Sequence, residues 1–224
     1  MQSPKFSTLL PQTLHRRLIM RKISILAMLA VVLLLPTVTH SQYIINDKDG
    51  WTNLRKESNA KSKIVGKVLK HHVFSEINEC DEDYPGFPTG NWLAVSVNDV
   101  GIGYIFKNNI TDISSLPLIV SGEDDNDDGK TSLITAKKDS ITVTMKIVGS
   151  GYANRRAEEI IVINGGKKLV INSMIPGTRA FSLFSGNDGA LYLYISNRSD
   201  GERAEALYSI VNGKIVSYTS WGGC

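Results

Sequence analysis

The dipeptide Asn212-Gly213 constrains this chain most, because it sits between two runs, residues 204–211 and 214–220, that read as strands. Asn and Gly enter the left-handed backbone region easily, as a two-residue type I′ turn requires, so this pattern specifies an antiparallel hairpin. Asn164-Gly165-Gly166 repeats the signal between residues 158–163 and 168–171. Gly186-Asn187-Asp188-Gly189 precedes a strand candidate at 190–196, and Asp200-Gly201 marks a further turn. Residues 140–147 alternate, with Ile141, Val143, Met145 and Ile147 on one face. No sustained helical periodicity interrupts this half. Residues 131–224 are therefore expected to form an antiparallel β-sandwich or meander domain.

The other end of the chain reads differently. Arg16, Arg17, Arg21 and Lys22 precede an apolar run, residues 23–35, broken only by Ser24. Pro36 and small residues follow, with Thr39 and Ser41 suited to positions −3 and −1 of a cleavage site. A basic stretch, an apolar stretch of about a dozen residues and a small-residue site describe a secretory signal peptide over residues 1–41. The run is shorter than the ~20 residues of a membrane span, so no stable span is expected after cleavage. Met20, directly before Arg21-Lys22, is an alternative start to Met1. A periplasmic or secreted protein is expected. Five of the 25 basic residues and none of the 22 acidic ones precede Gln42, so the mature chain carries 20 basic and 22 acidic residues, a net charge near −2. A nucleic-acid partner, which needs a concentrated basic face, is not expected. The two cysteines, Cys80 and Cys224, would be exposed to an oxidising compartment and form a disulfide candidate; the sequence leaves open whether they meet.

Between these ends lies a compact series of short strands and turns, residues 43–113. Tyr43-Ile44-Ile45 leads into the turn residues Asn46-Asp47-Lys48-Asp49-Gly50. Strand candidates follow at 52–55, 64–68 (with Gly66 a candidate bulge), 72–77, 92–97 and 102–106. Leu54, Ile64, Val68, Val73, Val95 and Ile105 are the expected core, and Asn53 and Arg55 are expected to hold loops by hydrogen bonds. Four segments occur in order: Gly50-Trp51-Thr52-Asn53-Leu54-Arg55, Ile64-Val65-Gly66-Lys67-Val68, Trp92-Leu93-Ala94-Val95 and Gly101-Ile102-Gly103-Tyr104-Ile105. This set resembles the bacterial SH3-like domain, a small barrel of exported proteins. Ser58 stands where that family often has Pro and His71 where it often has Gly, and the loop before Trp92 is longer. The resemblance implies an SH3-like barrel that binds cell-wall peptides or another exported protein. Trp51, Tyr84, Phe87, Trp92 and Tyr104 are the ligand-binding candidates, since aromatic faces give contact area at low entropy cost.

Residues 114–130 read as an acidic linker. Within it Asp124, Asn126 and Asp128 precede Gly129 in the spacing that opens a calcium loop. The twelfth position holds Thr135 rather than Glu, and no flanking helices are predicted. Calcium is thus a weak cofactor candidate beside a solvated acidic run. His71 and His72 with Cys80 and Asp81 lack the spacing and the further partner of a zinc site. A thiol hydrolase does not fit either: Cys80 sits among carboxylates that disfavour its thiolate, Cys224 is the last residue, and all four histidines precede Cys80. The sequence therefore predicts a two-domain, all-β, exported binding protein without a catalytic constellation. The alternatives are an enzyme or enzyme inhibitor with its site in the C-terminal half, around Arg155, Arg156, Glu158 and Glu159, and a calcium-stabilised structural surface protein.

Overall fold

A computed structural model describes residues 42–77, 85–124, 131–149, 156–173, 175, 177–197 and 204–222. The signal segment, both cysteines, Tyr84, Asn126, Asp128 and Arg155 lie outside the described residues. Among those described, every strand pairing is antiparallel and there is no α-helix, only two short 3₁₀ turns. Among the described residues no helix is long and apolar enough to cross a membrane.

The N-terminal module contains β1 (Gln42–Ile45), β2 (Trp51–Arg55), β3 (Ile64–Leu69), β4 (Val73–Glu76), β5 (Trp92–Val97), β6 (Gly101–Phe106) and β7 (Ile110–Asp112). They form one seven-stranded sheet in the order β3-β2-β6-β5-β4-β1-β7. Among the described residues the sheet is open, with β3 and β7 as its edges and no ladder between them. Gly103 makes the central β2–β6 contact possible: a Cβ there would lie 2.4 Å from the Arg55 carbonyl oxygen. The module's own core gathers Leu54, Val68, Phe74, Leu93, Val95 and Ile105, all buried. Ile64, expected in this core, is 49% exposed. The β2–β3 ladder pairs Leu54 with Gly66 but Arg55 with Ile64, leaving Val65 as an extra residue. That bulge turns Ile64 to the outward face of Arg55.

The C-terminal half builds two sheets. β9 (Ser132–Lys138), β10 (Ile141–Val148), β11 (Arg156–Asn164) and β12 (Lys167–Ile171) form a four-stranded meander. β8 (Leu118–Glu123), β13 (Thr178–Ser185), β14 (Leu191–Asn197), β15 (Ala204–Val211) and β16 (Lys214–Gly222) form a five-stranded sheet. β8 lies inside the stretch expected to be a linker. Its apolar Leu118 and Val120 ladder onto β13, so the chain is already in the sheet before the acidic run begins. The Asn212-Gly213 turn has both residues at positive φ, 54° and 78°, and closes the Val211–Lys214 pair as its sequence demands. Gly165 and Gly166 do the same between Asn164 and Lys167.

One apolar cluster fills the space between these two sheets. Val143, Met145, Ile147 and Ile160 face Phe181, Leu183, Leu193 and Ile195, all buried. This is sandwich packing, and each such side chain contributes about 1.5–3 kcal/mol of burial. The opposite face of the five-stranded sheet is covered too. Tyr192 and Leu207 pack with Ile44, Val73 and Ile113 of the N-terminal module. The five-stranded sheet is thus the middle layer of three. That explains why Leu191 to Ile195 are buried or half-buried at consecutive rather than alternate positions. All described residues belong to one compact unit.

Candidate functional site

The site lies on the N-terminal module. β2 alternates: Thr52 and Leu54 turn inward, while Trp51, Asn53 and Arg55 remain half-exposed on the other face. The Nη1 of Arg55 donates to the Ser62 carbonyl at 2.8 Å, folding the β2–β3 loop back so that Ala60 reaches the rim. On the neighbouring β5–β6 hairpin Trp92 is the register partner of Phe106. Their rings meet edge-on, with centroids 5.4 Å apart and planes at 62°. Beyond Phe106 a 3₁₀ turn presents Asn109, whose Nδ2 donates to the Thr52 hydroxyl at 2.8 Å. The amide of Asn91 donates to Asn108 Oδ1 at 2.8 Å and secures the same turn. Thr52, Asn53, Arg55, Ala60, Trp92, Phe106 and Asn109 together line a cavity of about 250 Å³. It offers an aromatic wall, a guanidinium and two carboxamides.

The aromatic candidates separate here. Of the four described candidates only Trp92 lines the cavity. Trp51 shares the outward face of β2 and carries the Lys67 ammonium 3.7 Å above its ring. Tyr104 is 4% exposed, and its hydroxyl lies 2.8 Å from the carbonyls of both Pro85 and Gly86, which share its single donor proton. It holds a loop and offers no free face. Phe87, two residues past Pro85, is 74% exposed. Phe106, Arg55 and Asn109 enter the site without having been singled out as ligand contacts. Phe106 meets Trp92 because the loop has three residues, Asn98-Asp99-Val100, and pairs Val97 with Gly101; a two-residue turn at Asn98-Asp99 would have set Ile105 opposite Trp92.

A second cavity, also about 250 Å³, opens at one end of the sandwich. Val162, Leu169, Leu191 and Ile210 form its floor, and Asn164, Lys167, Asn212 and turn glycines its rim. Of the charged residues proposed for this half, the described ones, Arg156, Glu158 and Glu159, do not line it. Glu158 accepts from Lys146 Nζ at 2.5 Å in an exposed ion pair, which raises Lys146 and lowers Glu158 from their ordinary values through that hydrogen bond. Glu158 lies six residues before Asn164 on β11, about 20 Å from the rim.

A third polar group lies where the module meets the middle sheet. His71, at φ 71°, places Nδ1 3.3 Å from the Tyr192 hydroxyl and Nε2 3.6 Å from Asp188. Lys70 Nζ pairs with the same Asp188 oxygen at 2.7 Å. Burial acts to raise the Asp188 carboxyl, but Lys70, the Ala190 N–H and His71 outweigh it and hold the group below its ordinary value. Burial, with Asp188 adding to it, pushes the Tyr192 phenol up to about 12. Neighbouring His72 is lowered by burial, against the pull of Asp99.

Of the calcium candidates only Asp124 is described. It is buried, and it accepts from the Ser132 hydroxyl at 2.5 Å. Among the described residues no three His, Cys, Asp or Glu side chains gather as a metal site. Comparison with protein-family models, with curated proteins and with solved structures yields no match.

Proposed function

We propose that this is an exported, non-catalytic binding protein that recognises an extended peptide, from the cell wall or from a partner protein, in the Trp92–Phe106 cleft. The observation that carries the reading is the lining of that cleft. An edge-to-face aromatic pair supplies contact area, while Arg55, Asn53 and Asn109 supply groups that orient a backbone or a carboxylate. The resemblance of residues 43–113 to a bacterial SH3-like domain and the signal-like N-terminus support the same reading. Retention of the mature protein on purified peptidoglycan, and capture of partners from the exported fraction, test it directly. Trp92→Ala is expected to abolish whichever retention the wild type shows. Equal behaviour of the two proteins would overturn the reading.

A second reading, a small-molecule site in the C-terminal half, is favoured by the apolar-floored cavity beside Lys167. Leu191→Trp would fill that cavity and leave peptide retention untouched if the first reading holds.

A further inference from the structure

The cleft lies in a patch of unbalanced charge. Between Trp51 and Lys70 the chain carries six basic residues, Arg55, Lys56, Lys61, Lys63, Lys67 and Lys70, and a single acidic one, Glu57. The mature chain as a whole is slightly acidic, so this concentration is local. Lys70 is paired with Asp188, and the Glu57 carboxylate accepts from Asn59 within its own loop. Among the described residues Lys56, Lys61, Lys63, Lys67 and Lys107 make no ion pair. Three of these flank the cleft: Lys61 follows Ala60 on the rim, Lys107 follows Phe106, and Lys67 is the register partner of Asn53. All three are exposed. Arg55 uses Nη1 to hold Ser62, and a guanidinium has further N–H donors to offer a carboxylate. Glu57 is the nearest acidic residue to Arg55 in sequence. Asp47 and Asp49 precede Trp51, about 13 Å of strand from Arg55, and Asp47 follows Asn46, whose N–H donates to the Asn109 carbonyl at 2.8 Å, so a single carboxylate neighbours the Asn109 side of the cleft.

Unpaired like charges around a concave site cost folding energy and attract an opposite charge. We infer that the occupant of the Trp92–Phe106 cleft is an extended, carboxylate-rich segment of another exported protein, its carboxylates lying against Arg55, Lys61, Lys67 and Lys107. The aromatic pair and the two carboxamides favour a peptide over a phosphate polymer, since they match an apolar side chain and backbone amides. This inference rests on the cleft reading above.

The test uses the full mature chain and three probes: a synthetic peptide of Glu-Ser repeats with one central Tyr, its Gln-for-Glu counterpart, and purified peptidoglycan. The Glu peptide is expected to bind, to weaken as salt rises, and to lose about tenfold in affinity in the Lys61→Glu, Lys107→Glu double variant. The Gln peptide is expected to bind neither protein measurably. Both substitutions are at exposed positions, and an unchanged melting temperature checks the fold. If the double variant binds as the wild type does, or if the Gln peptide or peptidoglycan binds in place of the Glu peptide, the inference is overturned. Under those outcomes the cleft reading stands as long as Trp92→Ala still abolishes binding. If Trp92→Ala leaves all binding intact, the cleft reading falls and the inference with it.

Discussion

The two faces of the five-stranded sheet are buried in different ways. Towards β9–β12 the contact is apolar throughout, with Phe181, Leu183, Leu193 and Ile195 meeting Val143, Met145, Ile147 and Ile160. Towards the N-terminal module the apolar cluster is smaller and is edged by directional contacts. The Val73 N–H donates to Ser217 Oγ at 3.2 Å, the Asn98 amide donates to the Tyr218 carbonyl at 2.8 Å, and Lys70, His71, Asp188 and Tyr192 form their network. Gln42 Oε1, Glu205 Oε2 and Ser209 Oγ are buried there without a hydrogen-bond partner. The apolar face holds the sandwich together. The mixed face fixes how the module is seated, because hydrogen bonds of defined geometry allow few alternative dockings. None of the cleft residues takes part in that seat.

The difference can be broken most sharply at Leu193. Leu193→Ala removes a fully buried side chain from the apolar face and is expected to cost about 3 kcal/mol, read as a lower denaturant midpoint. A loss below about 1 kcal/mol would mean that this face is not the main source of stability.

On the mixed face, His71 holds a left-handed conformation that a non-glycine residue adopts at a cost of about 1 kcal/mol. His71→Ala keeps that cost and loses both partners, so about 1 kcal/mol of destabilisation is expected. His71→Gly loses the partners but relieves the backbone, and should cost about half as much. Equal losses would show that strain at this turn is not linked to the seat.

The pH limbs follow from the same network. The folded Asp188 carboxyl lies below its ordinary 3.8, so its contribution is complete above about pH 4 and is lost as the pH falls through the folded value. Tyr192 is raised from 10.0 to about 12, so its contribution is complete below pH 10 and is lost as the pH rises towards 12. Melting temperatures of Asp188→Asn should lack part of the acid limb, and those of Tyr192→Phe part of the alkaline one. Unchanged limbs would remove the network from the account of the seat. The smallest effect belongs to the exposed Lys146–Glu158 pair: Lys146→Ala should leave the melting temperature unchanged, since solvent screens such pairs.

How much of this was legible in the sequence differs from residue to residue. The hairpins at Asn212-Gly213 and Gly165-Gly166 were legible because left-handed turns demand those residue types. The alternation of β10 placed Val143, Met145 and Ile147 in the core. β8 was hidden because its apolar run is short and abuts an acidic stretch, so only its pairing with β13 reveals it. Ile64 was misplaced because one extra residue in β3 reverses its facing: the bulge expected at Gly66 falls at Val65, and Gly66 itself pairs with Leu54. The three-layer arrangement was equally hidden, since burial on both faces erases the alternation of Leu-Tyr-Leu-Tyr-Ile in β14. In the site, Trp92 was visible as an aromatic at a strand start. Ala60 was not, because it reaches the cleft only when Arg55 captures the Ser62 carbonyl from across the loop.

The central claim is that ligand enters the Trp92–Phe106 cleft. Amide hydrogen exchange of the full mature chain, with and without the ligand that retains it, tests this most directly. Slowed exchange confined to residues 51–55, 60–62, 92 and 106–109 is the predicted result. Slowed exchange at residues 164–167 and 212–213, with the cleft unchanged, would contradict it and move the site to the far end of the sandwich.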